Sequence, residues 1–126
     1  MEYGIQLFSV RDLTEKNMDE ALRRVSELGY KYVEFAGFFG IPAAEIRGML
    51  DKYGLKVSGT HTVWQEIAEH FEETVAYHKA IGNKNIIIPG YVAVIAAKLK
   101  DESGWNVIVG PKEASGISGF AKENFA

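Results

Sequence analysis

Five short β-type runs, each followed by a segment of helical periodicity, constrain this chain more than any other feature of its sequence. The runs are 4–9, 32–36, 56–61, 85–89 and 105–109. After the first, Asn17 and Glu20 sit at the spacing of a helix N-cap and its third helical residue. Met18, Ala21, Leu22, Val25 and Leu28 then recur at three- and four-residue intervals, with Gly29 as the stop. After the second, Pro42 suits a helix first turn, and Ile46, Met49, Leu50 and Tyr53 form a stripe closed by Gly54. The third run leads into one long predicted helix, about 64–80, with Trp64, Ile67, Ala68, Phe71, Val75 and Ala76 facing inward and Gly82 beyond its end. Val92 to Leu99 reads as helical, ending near Gly104. A last helix is expected over 113–125, weakened by Gly116 and Gly119 at on the order of 1 kcal/mol each.

Alternating β and α elements imply a parallel sheet joined by right-handed crossovers. With 126 residues the chain is long enough for one domain and five βα units, too few to close an eight-stranded barrel. The consecutive β-branched residues Ile86, Ile87 and Ile88 are those of a central parallel strand covered on both faces. The expected architecture is therefore a three-layer, doubly wound α/β domain spanning 1–126, with flavodoxin-like strand order 2-1-3-4-5. The alternative is an open half barrel of order 1-2-3-4-5, which would expose its inner face unless it dimerised. A monomer is expected, with a homodimer as the other possibility.

Composition removes several classes of function. A formal net charge of −3 gives no electrostatic footprint for nucleic acid or an anionic membrane. Without cysteine there are no disulfides, thiolate metal sites or cysteine nucleophiles. The N-terminus lacks the basic and apolar pattern of a secretory signal, and no apolar stretch is long enough to span a bilayer. A soluble, cytoplasmic protein is expected.

Three blocks carry a family resemblance over the first part of the chain: Gly4-Ile5-Gln6-Leu7-Phe8-Ser9-Val10-Arg11-Asp12, Gly29-Tyr30-Lys31-Tyr32-Val33-Glu34-Phe35-Ala36-Gly37 and Gly54-Leu55-Lys56-Val57-Ser58-Gly59-Thr60-His61. Tyr77-His78-Lys79-Ala80-Ile81-Gly82-Asn83-Lys84 continues them. From Tyr3 to about Gly90 the chain resembles the first half of a sugar phosphate isomerase/epimerase of the xylose-isomerase-like TIM-barrel superfamily. That resemblance implies a catalytic metal held on later barrel strands, which have no counterpart in these residues, leaving Glu34 and His61 as remnants of substrate contact. From about Ile86 the pattern changes. Ile87-Ile88-Pro89-Gly90-Tyr91-Val92-Ala93-Val94 and Ser103-Gly104-Trp105-Asn106-Val107-Ile108-Val109-Gly110-Pro111-Lys112-Glu113-Ala114 resemble the C-terminal corrinoid-binding domain of the corrinoid iron–sulfur protein large (gamma) subunit of the acetyl-CoA synthase/decarbonylase system. The two resemblances meet in one strand, with segments 1–88 and 89–126, as recombination of βα pieces would produce. The expectation is an engineered fold chimera without catalytic activity, with a truncated natural relative as the alternative.

In open α/β sheets ligands sit beyond the carboxyl ends of the strands. The candidate ligand-binding residues there are Arg11, Glu34, His61, Gly90, Tyr91, Gly110 and Lys112. Arg11 and Lys112 could hold a phosphate near helix N-termini, against the alternative of two solvated charges. His61 could serve as acid, base or ligand, or be a hydrogen-bonded structural residue, and Glu34 is a conceivable partner for it. Glu66 and His70, one helical turn apart, have zinc-binding spacing but stand among Glu69, Glu72 and Glu73, so a solvated acidic face is the better reading and no metal site is expected. His78, two turns on, is too distant to complete such a site. No catalytic residue and no cofactor are assigned; residual corrinoid binding around Gly90, Tyr91, Gly110 and Pro111 is the one exception held open. The dinucleotide and Walker fingerprints are absent.

Overall fold

The second strand explains the architecture of the first two thirds of the chain. In β2 (Tyr32–Phe35) Val33 and Phe35 are completely buried while Tyr32 and Glu34 are only half-buried, the two-residue period of a strand covered on one face. A computed structural model of the protein describes residues 1–88, 90–110 and 122–123. In it β2 is flanked by β1 (Gly4–Gln6) and β3 (Lys56–Thr60), all parallel, in the order β1-β2-β3. The α/β class and the parallel pairing are as the sequence implies. The strand order 2-1-3 of a doubly wound sheet is not: β2, rather than β1, is the middle strand. The expectation assumed apolar residues on both sheet faces. Instead Ile5, Val33, Phe35 and Val57 pack into the core, while Gln6 and Ser58 on the opposite face are exposed. A sheet with one polar face needs helices on one side only, so the barrel-like order carries no large exposure penalty.

The helices supply that one layer. After β1 the chain turns through a 3-10 segment, Leu7–Val10, and α1 (Arg11–Thr14). Next, α2 (Met18–Glu27) opens on Asn17, whose side-chain carbonyl accepts the Glu20 backbone N–H at 3.0 Å, as its sequence signature requires. Its Met18, Ala21, Leu22 and Val25 are buried. Helix α3 (Ala43–Tyr53) buries Ile46 and Leu50 and ends at Gly54, whose φ of 64° is the left-handed conformation that glycine adopts without a Cβ clash. Leu7, Leu55 and Ile81 complete a continuous core with these residues.

The expected long helix is two. Helices α4 (Trp64–Glu69) and α5 (Phe71–Ala80) meet at His70, whose φ of −129° and ψ of 43° interrupt the helical path. An unbroken helix would stack Glu69 over Glu72 and Glu73, like-charge pairs that destabilise a helix. The break instead puts Glu72 and Glu73 in the first turn of α5, where the helix dipole favours them.

The chain divides into two compact units, Met1–Asn83 and Lys84–Ala126. In the second, β4 (Asn85–Ile88) pairs in parallel with β5 (Asn106–Val109), residue for residue from Asn85↔Asn106 to Ile88↔Val109. Between them a 3-10 segment, Gly90–Ile95, leads into α6 (Ala96–Ser103), so regular helix starts later than the sequence suggests and stops where Gly104 predicts. Leu99, Ser103 and Trp105 are buried, and the Ser103 hydroxyl donates to the Leu99 carbonyl and accepts the Trp105 backbone N–H. The helix expected over 113–125, with Pro111 and Lys112, lies outside the described residues.

Candidate functional site at the carboxyl edge

The carboxyl ends of β1, β2 and β3 open onto a cleft of about 480 Å³. One wall is the loop after β2, Gly37-Phe38-Phe39-Gly40; another is His61-Thr62-Val63 after β3, continued by Glu66 of α4; Phe8 after β1 completes it. A bulge shapes the β3 end: Val33 pairs with Val57 and Glu34 with Gly59, so Ser58 is the extra residue, and its hydroxyl donates to the Val33 carbonyl at 3.2 Å. The strand end is then fixed by the His61 backbone N–H, which donates to the Phe35 carbonyl at 2.7 Å.

Behind the cleft lies a polar and aromatic support. Phe38 packs against Phe35, Tyr77 and His78, with ring centroids 5.0, 4.4 and 5.9 Å away. The Tyr77 hydroxyl donates to the Ile41 carbonyl at 2.6 Å, pinning the far end of the loop. Burial pushes the Tyr77 phenol up to about 12 and the His78 imidazole down to about 4. From β3 the Thr60 hydroxyl lies 2.9 Å from that of Thr62, which lines the cleft, and 3.5 Å from Nε2 of His78.

The candidate residues are distributed as follows. His61 is exposed and lines the cleft. Glu34 is tied to Gln6, whose Nε2 donates to its carboxylate at 2.6 Å, so this acid is engaged across β1 and β2. Arg11 lies with its guanidinium 4.4 Å over the Phe8 ring and donates to the Phe8 carbonyl at 3.1 Å, a local use of its charge. Gly90 and Tyr91 open the 3-10 segment after β4, and Gly110 follows β5, all in the second unit. Lys112 lies outside the described residues. His70 approaches Glu73 at 3.9 Å, and among the described residues no group of three His, Cys, Asp or Glu side chains is arranged to hold a metal ion. The sequence reading missed Phe8 and Phe39 as cleft residues and His78 as a buried imidazole. For His78 a signal existed: it continues the inward face of Phe71 and Val75 at i+7 and i+3.

Strand order and site together define an α/β protein with parallel strands in barrel order and a cleft at their carboxyl ends. A solved sugar phosphate isomerase/epimerase from Parabacteroides distasonis superposes with a TM-score of 0.66 at 18% identity, over 87% of this chain and 50% of that one. That likeness is one of fold. By sequence, the chain belongs to the family described as CO dehydrogenase/acetyl-CoA synthase delta subunit, whose family model matches residues 50–121. The corrinoid/iron–sulfur protein large subunit of Moorella thermoacetica is 66% identical over 41 residues, which is 32% of this chain and 9% of that protein. Subunit gamma of the acetyl-CoA decarbonylase/synthase complex of Archaeoglobus fulgidus is 31% identical over 71 residues, 56% of this chain and 15% of that subunit. The chain thus spans only a small part of the curated relatives' length. The family match begins at residue 50, within α3, so it reaches further upstream than the corrinoid-protein phrases after Ile86 and overlaps β3, α4 and α5.

Proposed function

We propose that the chain is a recombined α/β scaffold, engineered rather than inherited, in which barrel-like βα units run into part of a corrinoid-protein sequence, and that it has no catalytic activity of its own. The observation that supports this best is the pairing of Glu34 with Gln6. Proton transfer at a sugar carbon needs an acid or base oriented toward the reacting atom. Here the acid on β2 is engaged by an amide and is not among the residues that line the cleft, where His61 stands exposed.

The residues considered for a corrinoid, Gly90, Tyr91 and Gly110, belong to the second unit, whereas this cleft is lined from the first. We assign the chain no cofactor, and it acts as a monomer, without the complex subunits to which its relatives belong by name.

Ketose–aldose interconversion and epimerisation assays with sugar phosphates, with magnesium or manganese added, test the proposal. No turnover is expected. Turnover that disappears in His61→Ala or Glu34→Gln would overturn it. A second reading, a binding module for a corrinoid or sugar phosphate, draws on the 41 residues shared with the corrinoid/iron–sulfur protein large subunit and on the isomerase-like fold. It would be supported by a saturable rise in melting temperature on titration with cobalamin or a sugar phosphate.

A further inference from the structure

The loop that walls the cleft holds a non-glycine residue in a glycine conformation. Phe39 has φ of +52°, the one positive φ among the described non-glycine residues, and its ring is 48% exposed. A bulky side chain there is unfavourable, and such strain persists only where the surroundings enforce it. The surroundings do so here. Phe38 is held among Phe35, Tyr77 and His78, and the Tyr77 hydroxyl fixes Ile41, so the backbone between these anchors must direct Phe39 outward.

A second ring, Phe8, is 54% exposed and lines the same cleft, as does Val63 at 55%. The polar lining is His61, Thr62 and Glu66. No lysine or arginine is among the residues that line it, and the nearby Arg11 guanidinium is engaged with Phe8. Among the lining residues a phosphate would therefore meet a carboxylate and no cation. A flat, uncharged ring would meet aromatic faces. A carboxylate acceptor and an imidazole able to donate, both in the lining, complement a ring edge carrying one donor and one acceptor. The volume of about 480 Å³ suits a ligand of one or two fused rings.

We infer that this cleft is a binding site for a neutral planar heteroaromatic ring of nucleobase type, stacked on Phe39 and flanked by Phe8, one face of which carries the Arg11 guanidinium, with its polar edge toward His61 and Glu66. The site requires no turnover and is independent of the scaffold reading above. Adenosine is the probe, titrated by calorimetry and by amide chemical shifts, with ribose 5-phosphate as the comparator that keeps the sugar, adds a phosphate and lacks the ring. Adenosine is expected to bind with shifts at 37–40 and 61–66, and ribose 5-phosphate at least ten-fold more weakly. Phe39→Gly removes the ring while relieving the backbone, so the melting temperature should hold or rise while adenosine affinity falls at least ten-fold. Glu66→Gln, on an exposed helix position, should weaken adenosine several-fold and leave the fold intact. Absence of adenosine binding at millimolar concentration, equal affinity in Phe39→Gly, or tighter binding of ribose 5-phosphate would each overturn the inference.

Discussion

The two units of this protein use parallel strands differently. In Met1–Asn83 the strands alternate, with Ile5, Val33, Phe35 and Val57 toward the helices and Gln6, Glu34 and Ser58 on the other face. In Lys84–Ala126, β4 reads Asn-Ile-Ile-Ile without alternation and pairs with β5, where the Asn106 side-chain amide donates to that of Asn85 at 3.4 Å. An alternating strand is content in a sheet with one wet face. A continuous β-branched run is the sequence of a strand buried on both faces. The first unit thus carries a complete one-sided design with ten buried apolar residues in one cluster. In the second, Leu99 and Trp105 are the buried apolar side chains among the described residues, while Val94, Ile95 and Val109 are exposed. The difference teaches that parallel pairing alone does not decide whether a βα segment is finished; the facing of its side chains does.

Core truncation is the strongest way to break that comparison. Phe35→Ala should destabilise the protein by roughly 3–5 kcal/mol, whereas Leu99→Ala, with a smaller surrounding core free to collapse, should cost about 2 kcal/mol. Urea unfolding measures both, and a larger loss for Leu99→Ala would reverse the assignment of stability to the first unit. The next effect is one of pH. Buried His78, with its imidazole pushed down to about 4 against 6.5 unfolded, is neutral in the fold at neutral pH. The unfolded chain then binds the extra proton, so stability is undiminished above about 6.5, falls as pH drops toward 4, and levels off below. The total loss is up to about 3 kcal/mol, at roughly 1.4 kcal/mol per pH unit between the two values. Unfolding curves from pH 7 to pH 4 should show this slope in the wild type and lose it in His78→Gln.

Smaller effects sharpen the account of the first unit's helical layer. Asn17→Ala removes the acceptor of the Glu20 N–H and should cost about 1 kcal/mol by thermal denaturation, while Asn17→Ser should recover most of it. Smallest is Glu20, whose carboxyl is drawn down to about 2 by hydrogen bonds from Arg23 and Arg24. Its contribution is present above about 4.5 and fades as pH falls toward 2, and it is exposed to screening. Helical circular dichroism at low and high salt should differ between wild type and Glu20→Gln only at low salt.

Much of the candidate site was out of reach of the sequence because it depends on which elements become neighbours. Phe8, Phe39 and Thr62 are separated along the chain and meet only through the order β1-β2-β3. Glu34 and His61 look like a pair at two strand ends, yet the register that sets Gln6 opposite Glu34 gives that carboxylate another partner. The outward turn of Phe39 follows from anchors on α5 that lie far along the chain.

The sequence by itself determined the local features: the alternation of β and α elements, the Asn17 cap, the stops at Gly54 and Gly104, and the resemblance of each part of the chain to a different family. These depend on propensity, periodicity and residues a few positions apart, all of which are written locally. Tertiary structure decided the strand order, the break at His70, the pairing of Glu34 and the cleft. Each of these turns on which faces and charges are brought together across long separations, and there the free energy lies in covering one face of a sheet, separating like charges and satisfying a carboxylate, not in any single segment's preference.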